Sequence, residues 1–97
     1  MKSIDLSELS EWKEKGVKFQ LIDVREDEER EIFHIGGLHI PLREIAGSIS
    51  RIPNDMPLVL YCRKGVRSRI AIQRLIAAEP SYEANLYNLS GGIGDGP

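Results

Sequence analysis

The sequence predicts an α/β protein: a single-domain open sheet of about four to five mainly parallel strands, with helices on both faces. Short apolar runs typical of buried strands alternate along the chain with segments of helical spacing, the pattern of a parallel sheet. The most apolar run, residues 57–62, lies in the middle of the chain, as expected of a central strand. Because 97 residues suffice for only one compact core, we predict one domain over residues 1–97.

The first half of the chain supplies two predicted helices and two predicted strands. Ser7 is a suitable N-cap for a first helix, which should end at Gly16. Residues 19–24, Phe-Gln-Leu-Ile-Asp-Val, have the branched and aromatic content of a buried strand. A short polar helix is predicted over residues 27–33 and a short strand over residues 39–41.

The second half continues the alternation of helices and strands. Apolar residues spaced at three and four predict an amphipathic helix over residues 42–52, before the central strand over residues 57–62. After a basic loop, a further helix should end at Pro80, and residues 85–89 predict the last strand. The glycines within residues 91–96 predict a tail with little regular structure.

Composition and charge argue against several classes of function. The formal net charge of −2 disfavours a general binder of nucleic acid or of anionic membranes, since both need a broad basic field. No apolar segment has the length of a signal sequence or a membrane span, so we expect a cytoplasmic location. His34 and His39 lie in no pattern of metal ligands, and we expect no metal site and no bound cofactor.

The single cysteine, Cys62, is the strongest candidate for chemistry, because it cannot form an internal disulfide. It ends the predicted central strand, where open α/β sheets bind their ligands. In the loop that follows, Gly65 permits a positive backbone angle, so that successive amide groups converge on one anion. These amides, the next helix N-terminus and the nearby cations should lower the pKa of the thiol and leave it mostly ionised at neutral pH. The loop reads Arg63-Lys64-Gly65-Val66-Arg67-Ser68.

Four segments, in the same order along the chain, resemble the signatures of rhodanese-homology domains, and the loop looks closest to domains that stand alone or follow adenylating enzymes. The segments are Leu21-Ile22-Asp23-Val24-Arg25-Glu26, His34-Ile35-Gly36-Gly37-Leu38-His39-Ile40-Pro41-Leu42, Cys62-Arg63-Lys64-Gly65-Val66-Arg67-Ser68 and Asn88-Leu89-Ser90-Gly91-Gly92-Ile93. Two positions depart from the family pattern. Gly36 stands where the family usually has proline, and Gly94-Asp95-Gly96-Pro97 replaces an apolar helix carrying tryptophan.

The resemblance to rhodanese-like single-domain sulfurtransferases implies a function. Cys62 would take sulfane sulfur from thiosulfate or a protein persulfide and pass it to cyanide, a thiol or an acceptor protein. The expected partners are therefore a small anionic donor such as thiosulfate and a sulfur-donor or acceptor protein. The backbone amides of residues 63–68 would hold the terminal anion of the persulfide. The family pattern makes Arg63 and Arg67 binders of anionic substrate, with Asp23 and Arg25 as supporting residues at the edge of the site.

Other interpretations of the same residues remain open. A lone cysteine in a small domain is often a buried filler of the core. A cysteine phosphatase or arsenate reductase uses an arginine six residues after its cysteine; Ser68 occupies that position here, and Arg67 falls one residue early. A non-catalytic docking module would keep the fold without the chemistry. The acidic residues 26–31 suggest an exposed helix face, in which Glu29 or Glu31 pairs with an arginine.

Overall fold

The computed structural model describes residues 1–96 and confirms the predicted fold class: one α/β domain built on a parallel sheet. The five strands lie in the order β1-β5-β4-β2-β3, and every neighbouring pair is parallel. The elements are β1 (Lys2–Ile4), α1 (Leu6–Glu14), β2 (Gln20–Asp23), α2 (Asp27–Ile32), β3 (Leu38–His39), β4 (Leu58–Tyr61), α3 (Val66–Ala78) and β5 (Leu86–Leu89). Short 3₁₀ helices cover Leu42–Gly47, Ile49–Arg51 and Pro80–Asn85.

The central strand β4 separates two apolar cores, which explains why its sequence is apolar throughout. Leu58 and Leu60 face the core formed with α3 and the 3₁₀ segments. Val59 and Tyr61 face the opposite core, where α1 contributes Leu9. All four strand residues are fully buried, since successive side chains of a strand point to opposite faces of the sheet. The helices therefore cover both faces, as predicted.

The start of the chain differs from the prediction in two ways. Lys2–Ile4 forms an edge strand that the sequence did not predict, because three residues with one apolar side chain carry almost no periodic signal. Ile4 pairs in parallel with Leu89 of β5, so the strand depends on a distant partner. The first helix has its N-cap at Asp5, two residues before Ser7: the Asp5 carboxylate accepts the Glu8 amide at 2.8 Å, and Glu8 completes a capping box.

The segment 42–52 is not the single amphipathic helix that its spacing predicted. It forms two 3₁₀ helices separated at Ser48, whose hydroxyl donates to the carbonyl of Glu44 at 2.8 Å. Gly47 has low helix propensity, and a serine bound to a preceding carbonyl favours such an interruption. Ile45 and Ile52 are still buried, because the apolar spacing serves the core in either helical form.

The bounds of β3 and α3 lie close to those predicted from the sequence. The strand predicted over residues 39–41 is Leu38–His39, one residue earlier and two residues long. The helix predicted to end at Pro80 does so, with Glu79 as its C-cap. None of the helices in residues 1–96 combines the length and apolar character needed to cross a membrane.

Candidate active site

Cys62 follows β4 directly, and the loop after it folds back over the sulfur. The chain turns at Gly65, which has a φ of 95° and is the N-cap of α3. The Gly65 amide donates to Cys62 Sγ at 3.0 Å, and the Ser68 amide donates at 3.4 Å. Only glycine adopts this backbone angle without strain, so Gly65 lets the amides and the helix N-terminus face a single atom.

Cys62 is buried at the margin of one core and also borders a small cavity. The residue is 1% exposed and contacts the apolar core around α3, which meets part of the expectation for a buried filler. However, its side chain also lines an open cavity of about 190 Å³. The other lining residues are Arg63, Lys64, Val66 and Arg67. The cavity therefore adjoins the residue that carries the thiol.

The surroundings of the sulfur favour its ionised form. Burial raises the pKa of the Cys62 thiol, but hydrogen bonds from the Ser68 side chain and from the amides of Ser68, Gly65 and Lys64 lower it, and the net effect on the pKa is a decrease. These donors stabilise the thiolate because each places a partial positive charge against it. The direction agrees with the expectation from the sequence.

Ser68 connects the sulfur to Asn88, a residue that the sequence analysis did not single out. The Ser68 hydroxyl lies 3.4 Å from Cys62 Sγ and is also hydrogen-bonded to the side-chain amide of Asn88. Ser68 is fully buried, and Asn88 is nearly so, within β5. Asn88 could have been identified from the sequence as a polar residue in the otherwise apolar strand Leu86–Leu89, since a buried amide needs a hydrogen-bond partner.

The segment after β5 holds the start of the loop in place. The amide of Ile93 donates to the carbonyl of Cys62 at 3.0 Å, and that of Gly94 donates to the carbonyl of Arg63 at 2.8 Å. Gly92, with a φ of 65°, lies so close that an added Cβ would collide with both carbonyl groups. The closing glycines therefore pack directly on the backbone that carries Cys62.

The loop cations are largely engaged by carboxylates. Arg63 pairs with Asp95, and the two terminal nitrogens of Arg67 donate to Glu29 at 2.6 and 2.8 Å. Of Glu29 and Glu31, the two residues expected to pair with an arginine, it is Glu29 that does so. Arg63 and Arg67 line the cavity as predicted for substrate-binding residues, but neither is a free cation.

Asp23 and Arg25, the predicted supporting residues, form a buried ion pair beside the site. Arg25 donates to both carboxylate oxygens of Asp23, each at 2.9 Å. The same guanidinium donates to the carbonyl of Phe33 at 2.6 Å, after the end of α2. The pair therefore fixes α2 against β2, and neither residue lines the cavity at Cys62.

The other titratable clusters give no sign of a metal centre. Within residues 1–96, no three side chains of His, Cys, Asp or Glu come together in an arrangement suited to a metal ion. His34 accepts the amide of Gly36 at 2.9 Å, and His39 shares a hydrogen bond with the carbonyl of Arg25 at 2.8 Å. Both histidines therefore hydrogen-bond to the backbone of the fold.

Fold and site together define a parallel α/β domain that presents one cysteine to the amides at a helix N-terminus. The family model described as "Rhodanese-like domain" matches residues 5–95, and the chain belongs to that family. The resemblance inferred from the four sequence segments is thereby confirmed.

Two curated relatives and one solved structure illustrate the similarity. The chain is 37% identical over 89 residues to the "Probable adenylyltransferase/sulfurtransferase MoeZ" of Mycobacterium tuberculosis, covering 89% of the chain and 22% of that protein. It is 43% identical over 77 residues to "Uncharacterized protein YqhL" of Bacillus subtilis, covering 78% and 59%. The chain thus spans less than two thirds of either relative. A rhodanese-like domain protein from Staphylococcus aureus superposes with a TM-score of 0.85 at 29% identity, covering 96% of this chain and 88% of that one.

Proposed function

We propose that this domain is a sulfurtransferase in which Cys62 carries sulfane sulfur as a persulfide. The observation that carries the proposal is the geometry at Sγ, where the amides of Gly65 and Ser68 converge on a cysteine that borders an open cavity. Membership of the rhodanese-like family and the similarity to a relative described as a probable sulfurtransferase support the reaction class.

The chemistry requires a nucleophilic thiolate and room for one further sulfur atom. With thiosulfate, the Cys62 thiolate attacks the outer sulfur, a new S–S bond forms, and the old S–S bond breaks to release sulfite. The product is a Cys62 persulfide, and a thiophilic acceptor such as cyanide then removes its terminal sulfur to regenerate the thiolate. The thiolate is the nucleophile in such an attack, and a lowered pKa increases its share of the thiol.

The loop residues take distinct roles in this proposal. The amides of Gly65 and Ser68 donate to the sulfur of Cys62, and the amides of residues 63–68 are proposed to hold the terminal anion of the persulfide. Lys64 contributes positive charge at the cavity, and Val66, which is 56% exposed, forms an apolar part of its rim. Thiosulfate or a protein persulfide is the proposed donor, and a thiol or acceptor protein the proposed receiver. A cytoplasmic location and the absence of nucleic-acid and membrane partners stay predictions.

The phosphatase alternative fits the geometry less well. In a cysteine phosphatase the residue six positions after the cysteine supplies an arginine to the oxyanion, whereas Ser68 here turns inward to Asn88. Arg67 turns towards Glu29 instead of the sulfur. The docking-module alternative does not explain why backbone amides converge on the sulfur, because a binding surface does not require a stabilised thiolate.

Steady-state transfer of sulfur from thiosulfate to cyanide tests the proposal. We expect thiocyanate formation by the parent protein and none above background by Cys62→Ser, which removes the nucleophile but keeps a small polar side chain. Activity of Cys62→Ser equal to that of the parent would disprove the assignment. Hydrolysis of a phenolic phosphate in place of sulfur transfer would favour the phosphatase.

A further inference from the structure

The ion pair between Glu29 and Arg67 lies at the mouth of the site, where a donor must approach. Arg67 lines the cavity above Cys62, and both of its terminal nitrogens donate to the Glu29 carboxylate, at 2.6 and 2.8 Å. The side chains are 32% and 30% exposed. The pair is therefore open to solvent and to substrate, and it is a fork-to-fork pair of the strong bidentate kind.

Glu29 is held in this position by contacts other than Arg67. One of its carboxylate oxygens accepts the amide of Glu26 at 3.0 Å, which closes a capping box at the start of α2. Its own carbonyl accepts a long hydrogen bond from Arg25 at 3.5 Å, and Arg25 is anchored in turn by Asp23. The hydrogen bond from Arg67 lowers the pKa of Glu29 to about 2, so the carboxylate is ionised at any pH near neutrality. Glu29 therefore keeps a full negative charge against Arg67.

This arrangement affects different sulfur donors unequally. Thiosulfate brings two negative charges towards a thiolate, so its approach depends strongly on free cations in the loop. A hydropersulfide accepts attack by a thiolate in its protonated form, R–S–SH, because an anionic outer sulfur repels the nucleophile. In that form the reacting group carries no charge and depends on the loop cations far less. Because Glu29 offsets the charge of Arg67, and Asp95 that of Arg63, Lys64 is the one lining cation whose charge no ion pair offsets within residues 1–96, so the site attracts a dianion less than its three lining cations would on their own.

We infer that Glu29 determines donor specificity at this site, by holding Arg67 in an ion pair that favours persulfide donors over oxyanionic donors such as thiosulfate. The inference rests on the proposed function of Cys62. In the favoured step the Cys62 thiolate attacks the outer sulfur of R–S–SH, and an S–S bond forms between them. The original S–S bond breaks, its electron pair leaves on R–S⁻, and the proton stays with the transferred sulfur.

The inference is tested by measuring how fast each donor loads Cys62 with sulfur, using the mass of the intact protein as the readout. The donors are thiosulfate and the hydropersulfide of 2-mercaptoethanol, an uncharged thiol. Glu29→Gln should speed thiosulfate loading by about five- to tenfold, as expected for one restored unit charge near a reacting anion. Loading by the hydropersulfide should change by less than about twofold, because the reacting group is uncharged.

A matched control comes from the same helix. Glu28→Gln removes the same charge from an exposed residue, which makes no ion pair within the described chain. It should alter thiosulfate loading by less than about twofold, since screening weakens a charge that is distant and solvated. An equal effect of the two variants would mean that general charge, and not the pair with Arg67, controls the rate.

A second variant keeps the test independent of any loss of stability in Glu29→Gln. Arg67→Lys keeps the positive charge but cannot hold both carboxylate oxygens in one planar fork, so it should also speed thiosulfate loading. An unchanged ratio of the two donor rates in both variants, or slower thiosulfate loading in both, would overturn the inference. A parent protein that takes sulfur from neither donor would instead overturn the proposed function.

Discussion

Replacement of Gly92 by alanine tests whether the closing segment positions the backbone of Cys62. Gly92 is buried, and its φ of 65° is a backbone angle that L residues rarely adopt. An added Cβ would collide with the carbonyl groups of Cys62 and Arg63. Since both obstacles are backbone atoms, the collision cannot be relieved by rotating a side chain.

Gly91 provides the matched control for this substitution. It has a similar positive φ of 79°, but it is exposed and an added Cβ would meet no atom within 4 Å. Gly91→Ala should therefore cost only the backbone strain, about 1–2 kcal/mol. Gly92→Ala should cost this strain plus about 2 kcal/mol for two weakened hydrogen bonds and about 1–3 kcal/mol for overpacking. The hydrogen bonds are those that the amides of Ile93 and Gly94 donate to the loop.

Urea unfolding of the two variants and the parent gives the free energies of unfolding directly. We expect Gly92→Ala to be less stable than Gly91→Ala by about 3–5 kcal/mol, the sum of the two collision-dependent contributions. We also expect it to load sulfur more slowly under conditions where both proteins are folded. Equal stability of the two variants would show that the closing segment can move away from the loop with no loss of stability, and would refute the argument.

Three further predictions concern the loop and its supports. Ser68→Ala should raise the pKa of the Cys62 thiol, because it removes the hydroxyl next to Sγ. The pKa can be measured by a pH titration of thiolate absorbance near 240 nm. An unchanged pKa would show that the contact is unimportant. Arg25→Ala should lower the free energy of unfolding by about 3 kcal/mol, since it leaves the buried Asp23 carboxylate without its main partner. A decrease of less than about 1 kcal/mol in the free energy measured by urea unfolding would contradict this. Glu29 has a pKa lowered from 4.5 to about 2, so its stabilisation is full above pH 4.5 and is lost as the pH falls towards 2. The stability difference between the parent and Glu29→Gln should shrink over that range in acid unfolding, and a constant difference would argue against the ion pair.

Much of the fold could be predicted because each long element carries its own signal. The apolar run 57–62 defined β4, and the break at Pro80 marked the end of α3. What was missed depends on distant parts of the chain. Strand Lys2–Ile4 exists because β5 offers it an edge, and the 3₁₀ form of residues 42–51 reflects how a short connection closes over the core.

In the candidate site, too, the residues close together in sequence could be predicted and the distant ones could not. The cysteine, the glycine at the turn and the basic loop are consecutive in sequence, so their combination could be recognised. By contrast, Asn88 reaches the loop from another strand, and Glu29 lies 38 residues before Arg67. The sequence therefore identified the cations but could not show that carboxylates engage them. Replacement of Arg67 by alanine would therefore remove a cation from the cavity and also leave Glu29 without this partner.

The most direct test of the sulfur-carrier proposal is to locate the transferred atom. Protein incubated with a sulfur donor, freed of excess donor and digested without reductant should give one added sulfur on the peptide that contains Cys62, and cyanide should remove it. Unmodified Cys62, or added sulfur that cyanide leaves in place, would contradict the account.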